Sequence, residues 1–390
     1  MTAKRALSRF PAPDQPEAEA RAWEVVRTAL AQREPADRRR RYRSQMVALA
    51  GAILLAGSLV LSPAGATVDR LISRALGVQH AARTLVALPT PGRLLISGPH
   101  GTWTVGSSGA KRWVGPWTDA MWSPHGRYLA VTRHDQLAAV TPLGVTQWVL
   151  QRPHLSDPRW YPPAGYRVAY LSGTELRAVA GDGSGDHLVA ASVARVAPAW
   201  RPGHAYQLAY ISGAGMLRVR DADSGARVWS ARPGVRVRTL AWSGDGGRLL
   251  ALSAHTILVY SSAGRLISAR PAPGEDFIRG GALSPDGRTI SIVAGRSSRS
   301  VLVYGLPGRG GSSRVRRVLA GAGLGQVAFS PNGRWLLITW PAADEWVFVR
   351  VAGAPRIAAL SRIEQHFGSG KGSQFPRLDG WCCSAAGADG

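Results

Sequence analysis

Cysteine is nearly absent from this chain of 390 residues. The only two cysteines, Cys382 and Cys383, are adjacent near the C-terminus. A disulfide framework or a CxxC zinc pair therefore cannot form within one chain. Because a disulfide between neighbouring residues is sterically strained, the sequence leaves open a free thiol pair, an intermolecular link and a metal contact. A chemically quiet, partly buried pair is the plainest interpretation, since free cysteine behaves mostly as a small hydrophobic residue.

Signatures of catalysis are missing as well. The sequence has no Gly-x-Ser-x-Gly nucleophile elbow and no HExxH zinc motif. Its nine histidines are dispersed, with no close pair at metal-ligand spacing. The "GSGKGS" stretch (Gly368 to Ser373) lacks the strand-to-helix context of a phosphate loop. We therefore expect no enzyme, with no catalytic residue, cofactor or metal, although a hydrolase or lyase that collects its residues from several repeats stays an alternative.

Negative charge is scarce, because 24 acidic residues stand against 48 basic ones and the formal net charge is +24. Only three of the basic residues are lysines (Lys4, Lys111 and Lys371), so arginine carries the positive field. Such a field attracts anionic polymers, lipid head groups or nucleic acid. Arginine excess in a chain rich in alanine and glycine also reflects coding bias, so a basic solvated surface is the plainer interpretation. We do not expect nucleic acid to be the partner.

One long segment lacks charge altogether. No charged residue occurs from Ser44 to Val68, and residues 46–67 reach the ~20 residues that a bilayer-spanning helix needs. The apolar residues of this predicted transmembrane helix are Met46, Val47, Leu49, Ile53, Leu54, Leu55, Leu59, Val60 and Leu61. The arginines just before it are Arg38, Arg39, Arg40, Arg41 and Arg43. Positive charge on that flank predicts a single-pass protein in the cell membrane, with a cytoplasmic N-terminus and an exported C-terminal part.

Two alternatives to a retained anchor stay open. The "AGA" at residues 64–66 matches a signal-peptidase site, although the segment before the apolar stretch is far longer than that of an ordinary signal peptide. The segment would otherwise be a buried helix of a soluble domain. Before the anchor, Pro16 to Gln32 form a predicted amphipathic helix that places Trp23, Val26 and Leu30 on one face. This face is available to the membrane or to a cytoplasmic partner.

The rest of the chain repeats one short pattern seven times. An apolar or aromatic anchor is followed by a turn rich in Pro, Gly and Asp and then by an apolar strand-like run, as in "LSPDGRTISI" and "FSPNGRWLLI". Neighbouring anchors are 34 to 46 residues apart. The seven anchors are Leu88, Trp122, Trp160, Trp200, Trp242, Leu283 and Phe329. Four short strands in about 40 residues are the content of one propeller blade, and the anchors are expected to pack between blades.

These turns resemble the TolB-like branch of bacterial WD40-like β-propeller repeats, whose signature is an aromatic-Ser-Pro-Asp-Gly turn that opens a strand. The copies at Trp160 and Trp200 depart from it in turn length, and the chain contains no Trp-Asp dipeptide. The resemblance implies an all-β propeller, for which we predict seven four-stranded blades; six or eight would follow if an end blade is incomplete or the tail supplies a strand. A first strand, "RTLVAL", is expected to precede Leu88.

The predicted organisation has five parts. A cytoplasmic segment covers residues 1–45, the transmembrane helix 46–67, a juxtamembrane helix or linker 68–81, the propeller 82–363, and a tail that packs on it 364–390. The function we expect is a membrane-tethered binding scaffold at the cell envelope, with the bilayer and an envelope protein or anionic polymer as partners. The alternative from another class is a transmembrane regulator that resembles anti-sigma factors and signals through the Trp23 helix.

Overall fold

The computed structural model describes residues 83–84, 87–162, 164–204, 206–272, 274, 276–306, 315–354, 356–367 and 374–383. All of these belong to one compact unit, Ala66–Gly390. Strands dominate the described ranges, which also contain a 3-10 turn at Pro341–Ala343 and a short α-helix. Within the described ranges no helix is both long and apolar enough to cross a membrane. The predicted transmembrane helix at 46–67 and its arginine flank lie outside these ranges.

The strands form seven sheets, numbered as blades along the chain. The first strand along the chain is β1 (Arg83–Thr84), which belongs to the last blade. Blade 1 has β2 (Arg93–Gly98), β3 (Gly101–Val105) and β4 (Lys111–Gly115). Blade 2 has β5 (Asp119–Trp122), β6 (Leu129–Arg133), β7 (Gln136–Val140) and β8 (Thr146–Gln151). Blade 3 has β9 (Leu155–Trp160), β10 (Arg167–Ser172), β11 (Glu175–Ala180) and β12 (His187–Ala190). Blade 4 has β13 (Ala199–Trp200), β14 (Gln207–Ile211), β15 (Leu217–Asp221) and β16 (Arg227–Ala231).

The remaining strands follow the same order. Blade 5 has β17 (Val237–Trp242), β18 (Arg248–Ser253), β19 (Thr256–Ser261) and β20 (Leu266–Pro271). Blade 6 has β21 (Ile278–Leu283), β22 (Thr289–Gly295), β23 (Ser298–Gly305) and β24 (Val315–Ala322). Blade 7 has β25 (Val327–Phe329), β26 (Trp335–Trp340), β27 (Glu345–Arg350) and β28 (Ile357–Ser361). After it come α1 (Ile363–His366) and β29 (Arg377–Cys382).

The first strands of the blades form the inner ring. Each contacts the first strand of the next blade in the order β29, β5, β9, β13, β17, β21, β25 and back to β29. The chain therefore makes a closed all-β propeller of seven blades, as the repeats predict. Because strands alternate in direction, the connections between blades and the loops between second and third strands lie on one face, here called the upper face. The turns between first and second strands, and between third and fourth, lie on the lower face.

Strands from both ends of the chain complete the terminal blades. β29 is the first strand of blade 1 and pairs antiparallel with β2, with Arg93 opposite Cys382 and Ser97 opposite Arg377. β1 pairs parallel with β28 as a fifth strand of blade 7. The structure thus differs from the predicted start of blade 1 at "RTLVAL". The tail supplies a strand, which the sequence analysis had left open, and the number of blades stays at seven. Without β29 the inner edge of β2 would have unpaired backbone groups.

Seven hydrophobic clusters lie between neighbouring blades, one for each pair. Six predicted anchors occur in or against these clusters at the end of a first strand: Trp122, Trp160, Trp200, Trp242, Leu283 and Phe329. Leu88 is also buried, between blades 7 and 1, but it precedes β2 and belongs to no strand. Trp381 takes the anchor position of blade 1, since it pairs with Leu94 as Trp122 pairs with Leu129.

A buried serine organises the turn after four of the first strands. Its hydroxyl oxygen accepts a hydrogen bond from the backbone N–H five residues later, at 3.0 Å in the Ser330–Trp335 pair. In the same turn the hydroxyl donates to Asn332 Oδ1 at 2.7 Å. The four serines are Ser123, Ser243, Ser284 and Ser330. The polar groups of each tight turn are satisfied internally, which explains why Ser precedes the Pro-Asp-Gly step in these repeats.

Some of the arginines join blades rather than face solvent. Arg93 donates from Nη2 to the Gly126 carbonyl oxygen of blade 2 at 2.6 Å, and its guanidinium lies 4.7 Å from the Trp122 ring. Arg201 makes the equivalent contact with Gly246 of blade 5, at 2.8 Å. Charge-assisted hydrogen bonds of this kind are stronger than neutral ones. Part of the positive charge is therefore structural.

Glu345 is a buried carboxylate in blade 7, only 1% exposed. Its Oε1 accepts a hydrogen bond from the Ser361 hydroxyl at 3.0 Å, while Oε2 has no hydrogen-bond partner in the structure. Burial raises the pKa of Glu345 to about 7. The folded protein therefore holds this proton more tightly than the unfolded chain does, and the associated stability is present in acid and is lost as pH rises through about 7.

We expect Glu345 to make the free energy of unfolding fall by roughly 2–3 kcal/mol between pH 5 and pH 8. Urea unfolding at several pH values should show this slope in the wild type and a flatter one in Glu345→Gln. The control is Glu364→Gln, at a nearby but partly exposed carboxylate. Equal slopes in wild type and Glu345→Gln would show that the carboxylate is not protonated in the folded state.

Candidate functional site

The central opening on the upper face carries a network of ion pairs across blades 1 to 3. Arg377, the first residue of β29, donates from Nη2 to Asp119 Oδ1 at 2.8 Å and from Nε to Asp379 Oδ1 at 2.6 Å. The other Asp119 oxygen accepts the backbone N–H of Asp157 at 2.8 Å. The network thus ties the C-terminal strand to the first strands of the next two blades.

Asp379 is the buried member of this network, with its side chain 4% exposed. Burial raises the pKa of Asp379 to about 6, although the Arg377 guanidinium and a hydrogen bond from Ser97 oppose that shift. Burial thus disfavours the charged form of this carboxylate, while the Arg377 guanidinium and the Ser97 hydroxyl stabilise it. Each carboxylate of the network already accepts a guanidinium or a backbone N–H, so the arrangement serves ring closure better than proton transfer.

An arginine-lined cavity of about 800 Å³ opens on the same face between blades 4 and 5. Arg195 comes from the connection between blades 3 and 4, Arg232 and Arg236 from the next connection, and Arg238 from β17. All four side chains are exposed. None of the described residues that line the cavity is a carboxylate. Within the described ranges none of these guanidinium groups makes an ion pair.

The basic surface continues from this cavity to blade 6. The Arg238 guanidinium lies 4.8 Å from the ring centroid of Phe277, and Arg279 of β21 lies at the same distance from that ring. A guanidinium over an aromatic face is attracted to it and gains a fixed position. Among the described residues, the upper face therefore has ion pairs in blades 1 to 3, and four arginines without an ion pair around the cavity between blades 4 and 5.

The arginine cavity is chemically suited to bind anions. A guanidinium presents parallel N–H donors that match the oxygens of a phosphate or carboxylate, and several such groups together favour a ligand with repeated negative charges. Among the residues that the structure describes, no group of three or more His, Cys, Asp and Glu side chains is placed to hold a metal ion. The cavity volume falls within the roughly 300–1,000 Å³ range of ligand pockets.

Comparisons with known proteins support the fold. No protein-family model and no curated protein matches the chain. Hsv2 of Kluyveromyces marxianus is similar with a TM-score of 0.53 at 10% identity, over 69% of this chain and 93% of that one. Hsv2 of Kluyveromyces lactis gives 0.52 at 11% identity, over 70% and 96%. At such identities the likeness concerns the fold alone. The chain has a WD40-like, seven-bladed β-propeller fold.

The predicted cysteine pair lies on the lower face, where β29 ends. The structure joins Cys382 and Cys383 in a disulfide, which the sequence had led us to disfavour. Their sulfur atoms lie 3.8 and 3.7 Å from the carbonyl oxygens of Ser123 and Pro124, in the first turn of blade 2. The left-handed backbone at Cys383, with φ of 58°, lets the two sulfur atoms face each other. The pair therefore lies where blade 1 meets blade 2.

The other predicted site residues do not come together in one site. The blade anchors lie one per interface, and the membrane and topology residues lie outside the described ranges. The arginine cavity was not predicted from the sequence. The sequence feature that points to this cavity is the run "RPGVRVR" (Arg232 to Arg238). In this run a Pro-Gly turn is followed at once by arginines that alternate with valines at the start of β17. Arg195 joins it only through the fold, because it comes from a connection one blade earlier.

Proposed function

We propose that this protein is a membrane-tethered, extracytoplasmic propeller of the TolB-like kind that binds an anionic polymer of the cell envelope. The observation that carries the proposal is the arginine cavity, with four exposed guanidinium groups and no carboxylate. Unpaired like charges around one cavity repel each other, so a polyanion that enters it removes an existing electrostatic cost.

The tether is supported by the sequence alone. Residues 46–67 are uncharged and follow the arginine-rich stretch Arg38 to Arg43. A cytoplasmic N-terminus places the propeller outside the membrane. In that compartment the ligand is a polymer of the envelope rather than nucleic acid, and the scaffold binds it without transforming it.

The binding proposal is tested with inorganic polyphosphate as the probe and the full-length protein in detergent micelles. The change is Arg195→Gln with Arg236→Gln, which removes one guanidinium group from each of the two interblade connections that line the cavity. We expect the dissociation constant to rise at least about tenfold, since each charge-assisted hydrogen bond contributes about 1.5–3 kcal/mol. The slope of log affinity against log salt should become shallower by about 2, or one for each lost phosphate contact.

The matched control carries the same change in net charge on the lower face. Arg227 and Arg265 are exposed and lie at the starts of the fourth strands of blades 4 and 5. Arg227→Gln with Arg265→Gln should leave polyphosphate affinity within about twofold of the wild type, because surface charges farther away than about 10 Å are screened. Equal losses in the two double variants would mean that the net charge, not the cavity, attracts the polymer.

A further inference from the structure

A second cavity, of about 740 Å³, opens on the lower face between blades 2 and 3. It is formed by the first turns of both blades and by the last turn of blade 3. It therefore lies on the opposite face from the arginine cavity and between other blades. Its volume is that of a ligand site rather than of a gap in the packing.

Aromatic rings make up much of its wall. Tyr166 is 64% exposed and Tyr128 is 38% exposed, although tyrosine rings usually pack against other groups. Trp148 and Trp160 extend the aromatic wall inward, and Trp160 is only 5% exposed. Exposed rings above buried ones provide a stacking surface that is open to solvent at one end.

Two of these rings, the indoles of Trp148 and Trp160, are held in place before any ligand binds. Trp148 donates its indole N–H to the Gly181 carbonyl oxygen at 2.8 Å. A Cβ at Gly183, where φ is 89°, would lie 2.7 Å from Trp148 Cγ. A Cβ at Gly181 would lie 2.6 Å from the Gly165 carbonyl oxygen and 3.3 Å from Trp160 Cζ3. The glycines therefore permit close packing of the two indole rings. These two tryptophan side chains lose little conformational entropy when a ligand binds.

Polar groups of both kinds surround the aromatic wall. Arg167 is fixed by an ion pair with Asp223 at 2.7 Å and lies 4.6 Å from the Tyr206 ring. Arg127 is exposed and has no ion pair or hydrogen bond within the described ranges. Asp182 accepts the Ser184 hydroxyl at 2.7 Å, which lowers the pKa of Asp182 and keeps it an acceptor. The cavity thus offers guanidinium donors and a carboxylate acceptor beside aromatic faces.

We infer that the aromatic cavity binds pyranose units of an oligosaccharide. A pyranose ring has an apolar C–H face that stacks on an aromatic ring, and its edge carries hydroxyl groups that both donate and accept hydrogen bonds. A purely apolar ligand would remove water from Arg127 and from the Asp182 carboxylate without replacing the hydrogen bonds to that water. The Asp182 carboxylate disfavours a densely charged polyanion such as polyphosphate, whereas a saccharide carries at most one charge on each ring. This inference does not depend on the arginine cavity or on the ligand proposed for it.

The test uses the full-length protein in detergent, titrated with cellotetraose and with tetragalacturonate while tryptophan fluorescence and heat are followed. We expect saturable binding of at least one of them. If cellotetraose binds, stacking and hydroxyl contacts are sufficient for binding. If only tetragalacturonate binds, Arg127 supplies the selectivity for the acidic sugar, and Arg127→Gln should abolish that binding. Tyr166→Ala should weaken binding at least about fivefold, whereas Tyr166→Phe should retain most of it. The control is Leu266→Ala, at an apolar residue on the outer strand of blade 5 that is 47% exposed.

Three results would overturn the inference. One is the absence of saturable binding of both saccharides at millimolar concentration. Another is an equal effect of Tyr166→Ala and Leu266→Ala. The third is Tyr166-dependent binding of a decaproline peptide in place of the sugars, because aromatic grooves also bind extended proline-rich segments. The Arg195→Gln, Arg236→Gln protein should bind the saccharides normally, which separates a failure here from a failure of the polyanion proposal.

Discussion

A chain that ends after Phe367 is expected to lose the closed propeller. The truncation removes β29, which pairs with β2 along its full length from Arg93 to Ser97. It also removes Trp381 and Leu378, two buried members of the cluster between blades 7 and 1. The edge of β2 would then be exposed, and Asp119 would lose its ion pair with Arg377. Loss of one blade interface disrupts the whole ring, because each blade is held by two neighbours.

Equilibrium urea unfolding, followed by tryptophan fluorescence and circular dichroism, measures this effect. The truncated protein should show a broad, non-cooperative transition or should aggregate, whereas the wild type unfolds cooperatively. The matched control ends after Cys383 and retains all of β29. It should unfold at the wild-type midpoint. If the chain ending at Phe367 unfolded with that same midpoint, ring closure by the tail would be contradicted.

Deletion of residues 46–67 is expected to release the protein from the membrane completely. These residues are the longest uncharged stretch of the chain. Burial of apolar side chains in hydrocarbon contributes about 25 cal/mol per Å², so a span of ~20 residues anchors almost irreversibly. Without it, the amphipathic helix that the sequence predicts around Trp23 would be left as a membrane contact, and such a contact is weak and reversible.

Carbonate extraction of isolated membranes, followed by centrifugation, distinguishes the two states. The full chain should stay in the pellet and the deletion variant should appear in the supernatant. Removal of residues 10–31, a segment of equal length that contains Trp23, is the control and should leave the protein in the pellet. Release of the full chain by carbonate would contradict a membrane-spanning anchor.

The repeats could be predicted because their chemistry is local. A turn such as Ser330 to Gly333 satisfies its own polar groups, so the residues that form it recur wherever a first strand turns into a second. The blade count followed from seven copies of the anchor-and-turn pattern, of which four carry this serine. Where the serine is replaced, at Tyr161 and Arg201, the sequence signal weakens although the strands persist.

Closure of the ring could not be predicted in the same way. β29 pairs with a strand almost 300 residues earlier in the chain, and "RLDGWC" contains no Ser-Pro-Asp-Gly turn. Trp381 of β29 occupies the anchor position of blade 1, although no anchor-and-turn pattern surrounds it in the sequence. Leu88 shows that pattern but lies outside any strand. Pairing between distant segments depends on the assembled fold, not on local residue preferences.

The same distinction applies to the two cavities. Arg195 and Arg236 are far apart in sequence, and only the meeting of two interblade connections places them around one space. The aromatic cavity likewise combines turns of neighbouring blades. Repeats of similar sequence therefore produce sites that differ from one blade interface to the next, because the exposed turn residues vary while the buried ones are retained.

Photo-crosslinking in intact cells tests the central claim most directly. A crosslinking amino acid replaces Ala214, which is exposed at the arginine cavity, or Ala263, which is exposed on the lower face of blade 5. The account predicts that Ala214, and not Ala263, captures a protease-resistant polymer bearing phosphate or carboxylate groups, and that Arg195→Gln with Arg236→Gln abolishes the adduct. Identical adducts at both positions, or only protease-sensitive protein adducts at Ala214, would contradict it.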